Sequence, residues 1–95
     1  MNMFKITINN NEIQLEGRFD ATQEKYAKQM FDQINKSSVI NFKDLEYISS
    51  CGLGVLLGTQ KRLNDSGDTL KLINMSEHIR DIFRYAGFDL IFEIE

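Results

Sequence analysis

Residues 4 to 9 read Phe-Lys-Ile-Thr-Ile-Asn, an alternation that puts Phe4, Ile6 and Ile8 on one side of an extended segment and polar residues on the other. Ile13 and Leu15 resume it after Asn9-Asn10-Asn11, so the pattern predicts two antiparallel strands joined by a hairpin. Beyond Gly17 the period changes. Ala27, Met30, Phe31 and Ile34 fall at i, i+3, i+4 and i+7, which predicts a helix over 20–35. Asp20 and Gln23 have the spacing of a capping box, with Phe19 ahead as an apolar contact. Val39-Ile40-Asn41-Phe42 is short, apolar and β-branched, the composition of a central strand buried on both faces. A second helix is expected from about Ser49 to Cys51 through Asp65, with Leu53, Leu56, Leu57, Gln60 and Leu63 along one side and Asn64-Asp65-Ser66-Gly67 as its stop. Leu70, Leu72 and Ile73 predict a fourth strand. Asn74 or Ser76 then caps a third helix carrying Ile79, Ile82, Phe83 and Ala86, and Gly87 ends it. Leu90 to Ile94 reads as an edge or closing strand, where Glu93 and Glu95 discourage edge-to-edge pairing.

The expected order is therefore ββαβαβαβ. It implies an α/β fold in which a mixed, mostly parallel sheet is entered by an N-terminal antiparallel hairpin strand and helices pack against it through right-handed crossovers. Ninety-five residues without an internal repeat leave material for one core, so residues 1–95 are expected to form a single domain. In such sheets functional loops gather at the carboxyl ends of the strands, where helices begin.

Charge and rare residues narrow the chemistry. Fourteen acidic residues against 11 basic ones, with the basic ones scattered, make nucleic acid a poor partner. No apolar run is long enough to span a bilayer, and residues 1–10 lack the charged start and apolar stretch of a signal peptide, so a cytoplasmic location without membrane insertion is expected. One cysteine forms no internal disulfide. One histidine, His78, and no His/Cys/carboxylate cluster at ligand spacing leave neither a metal site nor a catalytic set, so no enzyme and no cofactor is expected.

What remains is the stretch Tyr-Ile-Ser-Ser-Cys-Gly-Leu-Gly, Tyr47 to Gly54. Gly52-Leu53-Gly54 lacks the third glycine of a dinucleotide loop and the Gly-Lys-Ser/Thr ending of a triphosphate loop. Ser49, Ser50 and Cys51 instead stand at a helix start, where unpaired amides and the helix dipole favour an added anion by about 0.3 to 1 kcal/mol. A phosphoryl group there would bring about −1.5 to −2 charges without melting the fold. Serine is equally a favoured helix cap, and periodicity alone does not choose between the two roles.

The segment Val39 to Gly58, VINFKDLEYISSCGLGVLLG, resembles the signature of the STAS domain, found in anti-sigma factor antagonists and in the cytoplasmic tails of sulfate transporters. In that family a buried strand leads through an Asp-Ser-Ser-Gly-Leu-Gly loop into a helix, and the first serine of the loop is the phosphorylation site. Aligning Gly52-Leu53-Gly54 with its Gly-Leu-Gly places that serine at Ser50, with Ser49 as the alternative target. Leu15 to Asp20 resembles the family's Leu-x-Gly-x-x-Asp segment, and Ala86-Gly87-Phe88 its closing helix end. Two positions depart from the pattern: Ser49 stands where the family has Asp, and Cys51 where it has Ser. Loss of the carboxylate at position 49 is expected to remove an acceptor beside the hydroxyl.

The resemblance implies an anti-sigma factor antagonist. Its unphosphorylated form would bind an anti-sigma factor that is also a serine kinase, freeing a sigma factor for transcription; phosphorylation at Ser50 would weaken the complex and a serine phosphatase restore it. The implied contact surface is Gly17, Arg18 and Asp20 together with Ser49, Ser50, Cys51, Gly52, Leu53 and Gly54. The alternative is a STAS module without the switch, serving as a subunit or scaffold in a transporter or stress-signalling complex.

Overall fold

The computed structural model describes residues 3–95. Strands β1 (Lys5–Asn9) and β2 (Glu12–Phe19) form the expected hairpin, closed by Asn10 at φ 58°, a left-handed conformation asparagine tolerates. A single 3-10 turn, Ala21–Gln23, leads into α1 (Glu24–Phe31); β3 (Ser38–Ile48), α2 (Ser50–Asp65), β4 (Leu70–Ile73), α3 (Glu77–Tyr85) and β5 (Glu93–Ile94) follow. The spatial strand order is β1-β2-β3-β4-β5, antiparallel at the first pair and parallel at the other three. The order ββαβαβαβ and the mixed sheet are those expected.

One face of the sheet carries the core. Ile6 pairs with Leu15, Ile13 with Ile40, and Ile40 with Leu72, and all are buried. Registered partners share a face, so this side is apolar from β1 to β4. Phe42 extends it toward α3, meeting Phe83 edge-on at 5.8 Å between ring centroids. The opposite face shows Lys5, Thr7, Glu12, Gln14 and Asn41 at the alternate positions. Val39 is therefore only half-buried, and the expectation that this strand is covered on both sides is corrected.

Other boundaries moved for local reasons. β3 is eleven residues long because Lys43, Asp44, Glu46 and Tyr47, which look loop-like in sequence, lie along the part of the strand that pairs with Glu16 to Phe19. In α1, the Asp20 carboxylate accepts from the Thr22 amide at 3.0 Å and from the Thr22 hydroxyl, which tightens the entry into a 3-10 turn. Gln23 makes no side-chain cap bond, so the capping box does not form. The helix stops at Phe31, yet Ile34 stays buried because its amide donates to the Phe31 carbonyl and folds the chain back. β5 is reduced to two residues, with Leu90 outside it and exposed. Ser76, not Asn74, caps α3, its Oγ accepting from the Ile79 amide. Buried Gln60 ties α2 to the sheet: its Oε1 accepts from the Leu70 amide at 2.8 Å, and its Nε2 donates to the Ile91 carbonyl and the Thr69 hydroxyl.

Candidate functional site

The carboxyl ends of β2 and β3 lie side by side. Arg18 registers with Tyr47 and Phe19 with Ile48, and the Ser49 amide donates to the Phe19 carbonyl at 2.8 Å. The segment 17–20 and the start of α2 therefore form one rim of the sheet, as two neighbouring parallel strands must when both lead into helical segments.

Ser49 holds the extended conformation of an N-cap (φ −85°, ψ 170°), and its Oγ accepts from the Gly52 amide at 3.1 Å. Its carbonyl accepts from the Leu53 amide at 2.9 Å. The acceptor expected to be lost with the family's aspartate is thus present, because serine and aspartate cap helices about equally well. Ser50 begins the helix proper. Its side chain is exposed, and its hydroxyl makes no hydrogen bond among the described residues. Its amide and that of Cys51 belong to the first turn and have no acceptor within the helix. The two serines, interchangeable in sequence, are therefore distinct: one is engaged, the other free.

The glycines also separate. At Gly52 an added Cβ would stand 2.8 Å from the Ile48 Cγ1 and 3.1 Å from the Phe19 ring, so the first turn of α2 rests directly on the β2 and β3 ends. Gly54 and Gly58 face open space along a groove of about 370 Å³ between α1 and α2, which Lys28 and Arg62 also line. Gly17 adopts φ +90° under the carbonyl of Met3, where a Cβ would come within 2.5 Å of the oxygen. Gly17, Gly52 and Leu53 are buried and shape the rim; Arg18, Ser50 and Gly54 are exposed; Asp20, Ser49 and Cys51 are half-buried. Cys51 is a free thiol.

One contact was not anticipated. The Arg18 guanidinium lies over the Tyr47 ring, 4.5 Å from its centroid. The only signal in the sequence is that both residues stand two positions before a helix-entry residue, Asp20 and Ser49, and this acquires meaning only once β2 and β3 are known to be parallel neighbours. His78 lies far along the chain, exposed in the first turn of α3. Among the described residues no cluster of His, Cys, Asp or Glu is arranged to hold a metal, and no helix is long and apolar enough to cross a membrane.

The STAS domain family model matches residues 5–95. The anti-sigma-B factor antagonist of Bacillus subtilis is 42% identical over 55 residues, covering 58% of this chain and 50% of that protein. The chain thus spans about half the length of the curated relatives it matches. Among solved structures, the anti-sigma factor antagonist SpoIIAA in its unphosphorylated form superposes with a TM-score of 0.77 at 20% identity, over 98% of this chain and 88% of that one. SpoIIAA in its phosphorylated form superposes with a TM-score of 0.70 at 18% identity, over 98% and 91%. At those identities the two superpositions speak for the fold, and the family match over nearly the whole described chain carries the assignment. Ordered strands, helix-entry rim and family model agree, and the chain belongs to the STAS domain family.

Proposed function

We propose that this chain is a cytoplasmic anti-sigma factor antagonist, a binding regulator without catalysis of its own, whose partner is an anti-sigma factor with serine kinase activity. A serine phosphatase would reset it, and residues 1–95 would act as one domain. The observation that carries the reading is the division of labour at the start of α2. Ser49 keeps the cap, which leaves the Ser50 hydroxyl exposed and unbonded for phosphoryl transfer.

A phosphoryl group on Ser50 would add about −1.5 to −2 charges beside the amides of the first turn. Those amides and the helix dipole accommodate the anion, so the fold persists while the rim read by the partner, on which Arg18 and Asp20 otherwise balance, becomes negative. The contact surface combines Arg18 and Asp20 with Ser49, Ser50, Cys51 and Gly54, on a rim shaped by the buried Gly17, Gly52 and Leu53. The scaffold alternative draws on the departures at Ser49 and Cys51, and the intact cap lessens the first of them while leaving the second.

The test is incubation of the chain with ATP and candidate anti-sigma serine kinases, with the product mapped by mass. Label on Ser50, abolished by Ser50→Ala, and at least about tenfold weaker kinase binding by Ser50→Asp are expected; about tenfold corresponds to ~1.4 kcal/mol. Label confined to Ser49, no label with any such kinase, or unchanged binding by Ser50→Asp would overturn the switch.

A further inference from the structure

The geometry points to the Arg18–Tyr47 stack as a carboxylate-docking element that selects the protein partner, an acidic side chain of the kinase being its occupant. The inference rests on the antagonist reading and adds to it the chemistry of one contact and the residues that make it.

Arg18 and Tyr47 are registered neighbours on β2 and β3, one pair back from Phe19 and Ile48. Phe19 and Ile48 turn into the core, so Arg18 and Tyr47 turn to the open face, directly beneath the rim that carries Asp20 and Ser50. The two strand ends thus place a cation next to the proposed switch on a face where Lys5, Glu12, Glu16 and Arg18 are exposed and which no helix among the described residues covers.

Three features make this cation a recognition element rather than a solvated lysine-like charge. Arg18 is exposed and forms no ion pair among the described residues, although Glu16 and Asp44 stand on neighbouring positions of the same two strands. The Tyr47 ring occupies one face of the guanidinium and holds the side chain in place, which lowers the ordering cost of a further contact. The edges of the fork, with their N–H donors, stay free to meet a carboxylate in the bidentate geometry that lysine does not offer. Arginine and tyrosine are also the residue types over-represented among energetically dominant contacts at protein interfaces.

Charge complementarity selects the occupant. The chain carries a net charge of −3, so its overall field does not steer an acidic partner toward it. The attraction is local, and its loss should appear as faster dissociation rather than slower association.

The test uses the full chain and the purified kinase that labels Ser50, with binding measured by surface kinetics at two ionic strengths. Arg18→Gln is expected to weaken binding about tenfold, mostly in dissociation rate, and to flatten the salt dependence; Arg18→Glu weakens it further, and Tyr47→Leu gives a partial loss. Thermal unfolding within a few degrees of the parent shows that these surface variants remain folded. If Arg18→Gln and Arg18→Glu bind within about twofold of the parent while Ser50→Asp still loses binding, the docking element is refuted and the switch stands. If Arg18→Gln alters only the phosphorylated chain, the guanidinium serves the Ser50 phosphate and the inference falls. If the unaltered chain binds no such kinase, both readings fall.

Discussion

Gly52 and Gly58 lie six residues apart on the same helix, and the structure assigns opposite signs to the same substitution at the two positions. In a helix interior Gly→Ala gains about 0.8–1 kcal/mol of propensity, and somewhat less in the first turn. At Gly58 a Cβ meets nothing within 4 Å, so Gly58→Ala should realise that gain in full. At Gly52 the new atom would lie 2.8 Å from the Ile48 Cγ1 and 3.1 and 3.2 Å from two carbons of the Phe19 ring, both side chains being buried. Ordinary carbon contacts sit at about 3.5–4.0 Å, so either α2 lifts off the strand ends or two core side chains leave their rotamers. Overpacking of that kind costs about 1–3 kcal/mol. The net for Gly52→Ala is a loss of about 1 kcal/mol, against a gain of about the same size for Gly58→Ala. For a domain of this length 1 kcal/mol moves Tm by about 4–8 °C, so the two variants should separate by roughly 8–16 °C in thermal unfolding followed by circular dichroism. Urea titrations should give the same order with unchanged slopes. A Gly52→Ala variant as stable as Gly58→Ala would refute the claim that the first turn of α2 is seated on Phe19 and Ile48.

The cap and one ion pair make further predictions. Ser49→Ala should cost about 1 kcal/mol, whereas Ser49→Asp should restore parental stability; a urea midpoint for Ser49→Ala equal to that of the parent would contradict the cap. Lys71 bonds Glu95 at 2.7 Å with Glu93 at 3.9 Å, and the hydrogen bond to Glu95 first, then its charge, holds the ammonium pKa above the usual 10.5. A raised pKa means the folded state retains the proton longer, so this contribution is complete below 10.5 and disappears as pH rises through the higher folded value. The stability difference between the parent and Lys71→Met should therefore be constant from about pH 8 to about pH 10 and close above that; a gap that widens in alkali would contradict the pairing.

Much of the architecture was legible because it rests on period. Phe4, Ile6, Ile13 and Leu15 alternate, and Ile79, Ile82 and Phe83 recur at helical spacing, since each set faces a single core layer. Hidden were features decided by pairing across the chain. The second half of β3 is polar in sequence and a strand in fact, because its outward positions are open to water while Leu45 and Ile48 alone reach the core. Asp20 and Gln23 matched a capping box by spacing, but the Thr22 hydroxyl and amide claimed the carboxylate first. At the site, resemblance located the loop, yet only coordinates separate a capping Ser49 from an unbonded Ser50, because the two residues are chemically identical until the helix start is fixed. The stack of Arg18 on Tyr47 was out of reach for the same reason: it depends on a parallel register containing two irregularities.

The outer edge of β1 is where the sheet would be open to growth by another strand. There the Ile6 amide donates to the Tyr26 hydroxyl at 3.1 Å, and the Tyr26 ring stands edge-on to Phe4. The edge is thus blunted by a side chain from α1 rather than by a residue of its own. Docking of that helix and masking of the Ile6 amide are therefore a single event, and local opening of α1 would return that amide to the free edge of the sheet without global unfolding.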